Sequence, residues 1–161
     1  MKKSNHVLLV IVGLSLFILY ILQFAFDISW PWLLEMQADQ SYKRWSGVVV
    51  GIFILFQWLL TLVRVTKKLR KYNLNFTRWH QWIGAISPVL FYFHALQIGY
   101  GYLGLLSYVF FTNMVLGLVN LDVIKSQKNW VFQSWMITHV SLSVVVTFLL
   151  FFHIGVVFYY K

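Results

Sequence analysis

Five stretches of nearly unbroken apolar residues, at 7–26, 46–65, 79–98, 102–121 and 135–160, alternate with short polar connections. Each is about 20 residues or longer, the length an α-helix needs to cross the ~30 Å hydrocarbon core of a bilayer. The pattern predicts an all-α integral membrane protein, a bundle of five transmembrane helices forming one domain over residues 1–161. The N-terminal run follows Met1-Lys2-Lys3 like a signal peptide. It lacks a small-x-small cleavage site, and we expect a retained first helix.

The connections differ in character. Residues 27–45 are polar around Trp30-Pro31-Trp32-Leu33-Leu34, which should rest at the membrane interface, where indole rings partition. The second connection carries Arg64, Lys67, Lys68, Arg70, Lys71 and Arg78 with no acid. The third, Gly99-Tyr100-Gly101, is tight enough to make the third and fourth helices antiparallel neighbours. The fourth, residues 122–134, carries Lys125 and Lys128.

With five helices, ten of the 13 Lys and Arg residues fall on the N-terminal side and three, Lys43, Arg44 and Lys161, on the other. The excess of positive charge expected on cytoplasmic loops then places the N-terminus inside and the C-terminus outside. Hydrophobic residues make up 60% of the chain and the mean hydropathy is +0.74, too apolar for a soluble domain. The formal charge of +9 lies between apolar runs and forms no soluble basic face, which excludes nucleic acid as a partner and leaves the lipid bilayer. The absence of cysteine excludes disulfides, thiolate-held iron–sulfur clusters and covalently attached haem. No charged residue lies deep in a predicted span, which argues against an ion-coupled transporter.

The candidate chemistry lies in the histidines. His80 and His94 stand 14 positions apart, and so do His139 and His153. Fourteen residues of supercoiled helix make about four turns and ~21 Å of rise, returning a side chain to the same face at the other side of a bilayer. The third and fifth helices run the same way across the membrane. His80 is therefore level with His139 on the inner side and His94 with His153 on the outer. One intramembrane histidine is usually a packing residue; four at matched depths suit two haem b groups, each held by two imidazoles.

Neighbouring residues fit a macrocycle. Gly84 and Ser143 lie one turn beyond His80 and His139, where a larger side chain would crowd a ring, and Pro88 should kink the third helix. Arg78, Arg64 and Arg70 are candidates to pair with the propionates of the inner haem, against the plainer role of orienting charge. Trp79, Trp82, Trp130 and Trp135 read as interfacial belt residues, and His6 as interfacial.

Arg78-Trp79-His80 with Gly84 and His94, followed by His139 and His153, resembles the ferric reductase-like transmembrane domain, the haem-bearing core of NADPH oxidases, ferric-chelate reductases and related bacterial cytochromes b. The resemblance covers roughly residues 46–160. It implies two stacked b haems clamped by the third and fifth helices, with electrons passing from cytoplasm to the far side. That family usually continues into a sixth helix and a flavin- and nicotinamide-binding region. This chain stops at Lys161 and has no glycine-rich dinucleotide fingerprint, so a separate flavoprotein or a membrane quinol is expected to supply the electrons.

The expectation is thus the electron-transfer subunit of an oxidoreductase in a bacterial inner membrane, delivering to an outer-side acceptor or partner protein. Two alternatives stay open. One is a cytochrome b anchor of a larger quinone-linked complex, for which Gln23, Gln57 and Gln97 offer polar groups. The other is a non-redox scaffold or assembly factor whose histidines only pack.

Overall fold

The computed structural model describes residues 3–119 and 128–160, all of whose regular structure is helical. The helices are α1 (Lys3–Ala25), α2 (Pro31–Ala38), α3 (Gln40–Gln57), α4 (Leu59–Val65), α5 (Asn73–His94), α6 (Tyr102–Leu118) and α7 (Asn129–Tyr159), with a 3-10 helix at Lys67–Tyr72. Three helical stretches are long and apolar enough to cross a membrane: His6–Ala25, Gln40–Val65 and Asn129–Tyr159. Helix α6 is apolar but shorter, with 17 residues, and α5 has 22. The expected end of the fourth segment at Leu121, together with Lys2, Lys125 and Lys161, lies outside the described residues.

Several boundaries differ from those expected. Helices α3 and α7 each begin six residues early, because helical hydrogen bonding continues past the apolar run into polar sequence. Asp39 starts α3 by accepting a hydrogen bond from the Tyr42 backbone N–H at 2.7 Å. Helix α5 begins at Asn73 and stops at His94 rather than Ile98, so its connection to α6 is residues 95–101. Gly101, at φ +60°, starts α6 in a conformation that suits glycine. Gly104 approaches this connection so closely that a Cβ would sit 2.7 Å from the Gly99 carbonyl oxygen.

The polar stretch 27–45 contains α2, which acts as a latch. Gln37 is buried, and its amide donates to the carbonyls of Tyr92 and Phe93, both at 3.0 Å, and accepts from the Leu96 N–H at 3.1 Å. The Tyr42 hydroxyl also donates to the Phe93 carbonyl, at 2.8 Å. Together they satisfy carbonyls that a helix end leaves without intrahelical partners.

Packing sets the directions of the helices. Gly47 on α3 lies against His94 while Gln57, ten residues on, reaches His80, so α3 runs opposite to α5. Tyr102 on α6 is beside His153 and Gly117 beside His139, so α6 runs opposite to α7. With His80 facing His139 and His94 facing His153, α5 and α7 are parallel. Helices α3 and α6 each touch both, whereas α5 and α7 make almost no direct backbone contact. The four form a bundle with α5 and α7 on the diagonal and a slot between them. Helix α1 packs behind α5 and α6, and the apolar core at that contact includes Leu9, Tyr20, Ala85, Phe91, Phe111 and Leu118.

Candidate functional site

The slot holds the four histidines at two levels. The rings of His80 and His139 have their centres 6.1 Å apart and planes 83° from parallel; those of His94 and His153 are 6.4 Å and 65°. Two imidazoles on opposite sides of one metal ion, each bonded at ~2.0–2.1 Å, place their ring centres ~6.3 Å apart. Direct edge-to-face contact spans a similar distance, so the separation alone does not choose between ligation and packing. Hydrogen bonding and empty volume add to the comparison.

On α5, both Nδ1 atoms bond to α3. His80 Nδ1 lies 3.3 Å from the carbonyl of Gln57, the last residue before the helix breaks at Trp58. A carbonyl only accepts, so this bond needs the proton on Nδ1. His94 Nδ1 lies 3.0 Å from Ser46 Oγ, and that hydroxyl lies 3.2 Å from the Lys43 carbonyl. A hydroxyl has one proton; given to Lys43, it leaves Ser46 to accept from His94 Nδ1–H. The His80 imidazole is thus held in the tautomer whose Nε2 lone pair is available to a metal, and His94 takes the same tautomer when Ser46 donates to Lys43. On α7, His139 and His153 have buried Nδ1 atoms with no hydrogen-bond partner. The Asn113 carbonyl faces the His139 ring without closing a bond.

Each pair lines a cavity. The outer one, beside His94 and His153, has a volume of about 580 Å³, within the ~300–1,000 Å³ of cofactor and ligand sites. The inner one, beside His80 and His139, is about 170 Å³, so a macrocycle there requires its wall to move. That wall includes the long side chains of Gln57, Gln81 and Arg64, and Gln57 Nε2 and Gln81 Oε1 are buried without partners. Such orphaned groups are costly in an apolar interior and mark a wall that lacks its complement.

Gly84 lines the inner cavity, and a Cβ there would meet nothing within 4 Å. Ser143 lines it too, donating to the His139 carbonyl and accepting from Asn113 Nδ2 at 2.9 Å. Of the three arginines, Arg64 reaches this cavity. Arg70 donates its Nε–H to the Arg64 carbonyl at 3.1 Å, and Arg78 is exposed and outside both cavity walls. Of the glutamines considered for a quinone, Gln57 is beside a histidine pair. Gln97, while donating to Asp27, lines the outer cavity with His94 and His153, and Gln23 is buried away from both cavities.

Three site features escape the sequence patterns. Trp135 is not merely a belt residue: it stacks on His139 with centres 5.7 Å apart and planes 2° from parallel, and its Nε1–H bonds the Leu116 carbonyl at 2.8 Å. Gly47 and Gly117 are the glycines that seat imidazoles, since added Cβ atoms would lie 2.9 Å from His94 Cε1 and 3.1 Å from His139 Cε1. His6, expected at the membrane interface, is buried within the protein at 6% exposure. Comparison with protein-family models, with curated proteins and with solved structures returns no match.

Proposed function

We propose that this protein is a membrane cytochrome b of the ferric reductase-like kind, with five membrane spans, its N-terminus in the cytoplasm and its C-terminus outside. His80 and His139 would hold an inner haem b, and His94 and His153 an outer one. The observation that carries the reading is the pair of matched imidazole levels in a slot between parallel helices, with the Nδ1 atoms of both α5 rings bonded to α3. The donor set suits the group, since the two neutral imidazoles at each level would hold a haem and leave it to electron-transfer chemistry.

Haem supplies reversible one-electron chemistry. The protein's residues hold and surround it. The Gln57 carbonyl and Ser46 hydroxyl orient the α5 imidazoles and raise their basicity. Gly47 and Gly117 leave room for the His94 and His139 imidazoles, and Gly84 adds no bulk to the inner cavity. Phe91, Phe110 and Leu150 wall the outer cavity with apolar surface that excludes water. In this reading, electrons enter from a flavoprotein or quinol at the basic face around Lys67–Tyr72 and leave near His153 to an outer acceptor.

The test is a reduced-minus-oxidised absorption spectrum of the detergent-purified protein, with haem per chain from extraction. The expected result is two low-spin b haems per chain. His94→Ala should remove one and leave most of the inner signal. A protein free of haem after expression with ample haem supply would overturn the reading and leave the scaffold alternative in front.

A further inference from the structure

Arg44 stands out on the opposite side of the molecule from the basic connection. It lies three residues before Gly47 on α3, about one turn away on the face that meets the His94 ring, and it lines the outer cavity with Lys43. Its Nε is buried and has no hydrogen-bond partner. The chain has four acidic residues. Asp39 caps α3 and Asp27 bonds Gln97, and among the described residues no acid lines either cavity. A guanidinium with a buried, unanswered N–H beside an apolar cavity needs a counter-charge, and it best fits a carboxylate, which can accept two parallel N–H bonds. In the proposed topology this pair lies at the outer end, where orienting charge gives no reason for it.

We propose that Arg44, with Lys43 at the rim, is a carboxylate-binding site of the outer cavity. The carboxylate has two sources with the same chemistry: a propionate of the macrocycle held by His94 and His153, or a free polycarboxylate such as a ferric chelate presented from outside. The first rests on the cytochrome reading; the second does not.

The experiment uses the full-length detergent-purified protein, stripped of haem, beside Arg44→Gln and the charge-preserving Arg44→Lys. Each is titrated with haem b and with its dimethyl ester by Soret absorbance, and separately with citrate by calorimetry. If the propionate is the partner, the wild type favours the free acid over the ester by roughly ten- to hundredfold, Arg44→Gln loses that preference and Arg44→Lys keeps part of it. If the free carboxylate is the partner, esterification changes nothing, and citrate binds the wild type and Arg44→Lys but not Arg44→Gln. Haem binding with equal affinity for acid and ester, together with no Arg44-dependent citrate binding, overturns the proposal while leaving the cytochrome intact. Citrate binding that depends on Arg44 in a protein taking up neither haem form would do the reverse.

Discussion

At the scale of single residues, the site depends on where side chains are missing. The His94 ring lies against α3 at Gly47, and an added methyl would come within 2.9 Å of Cε1. That is closer than side chains pack, and the ring would have to turn from the Ser46 hydroxyl to which its Nδ1 is bonded. Gly47→Ala is therefore expected to cost about 1–3 kcal/mol of packing and to empty the outer site selectively. Gly155→Ala, at a position where a Cβ meets nothing within 4 Å, should leave haem content unchanged. Haem per chain in the two variants measures this directly. Equal occupancy in Gly47→Ala and wild type would show that His94 does not need its seat against α3.

At the scale of elements, the end of α5 is held by a helix that no apolar pattern announces. Helix α2 has eight residues and lies within a polar stretch, too short for a periodicity to mark it, and only the folded chain brings Gln37 to carbonyls more than 50 positions away. The break at Trp58 is hidden for the opposite reason: residues 47–56 and 58–60 are apolar on both sides of Gln57, and nothing in that run shows that the Gln57 carbonyl turns to His80. What was legible is the periodic part. Steps of 14 on two helices identify partners across the slot without any knowledge of what packs between them, and the structure brings together those same pairs. The stacking of Trp135 is not legible because a tryptophan near a helix start has the same signature whether it faces lipid or lies on His139. The latch gives a prediction at this scale. Gln37→Leu keeps the volume but orphans the Tyr92 carbonyl and the Leu96 N–H, while Tyr42 still serves Phe93. The expected loss is about 2–4 kcal/mol, seen as a lower melting temperature, with α5 fraying from its His94 end. If the slot holds the proposed haems, their loss on heating should then begin at the His94–His153 level. A variant as stable as wild type would reduce the latch to a surface contact.

At the scale of the whole molecule, the reading depends on which end faces the cytoplasm. The helix directions alternate from α3 to α7, and Gln40–Val65 is long enough, at ~39 Å of rise, to carry the chain from one face to the other. The 3-10 helix Lys67–Tyr72 and α2 therefore lie at opposite ends of the bundle. The chain contains no cysteine, so single substitutions report on sidedness without background. Lys68 and Glu35 are both exposed and line neither cavity. In intact spheroplasts, Glu35→Cys should react with a membrane-impermeant maleimide, and Lys68→Cys only after lysis. The reverse pattern would turn the molecule over, putting the inner pair outside and the presumed donor surface beyond the reach of a cytoplasmic flavoprotein. Labelling of both from the same side would mean that Gln40–Val65 does not cross. The two histidine levels would then no longer lie on opposite sides of a bilayer, and a transmembrane electron path would lose its basis even if both haems were present.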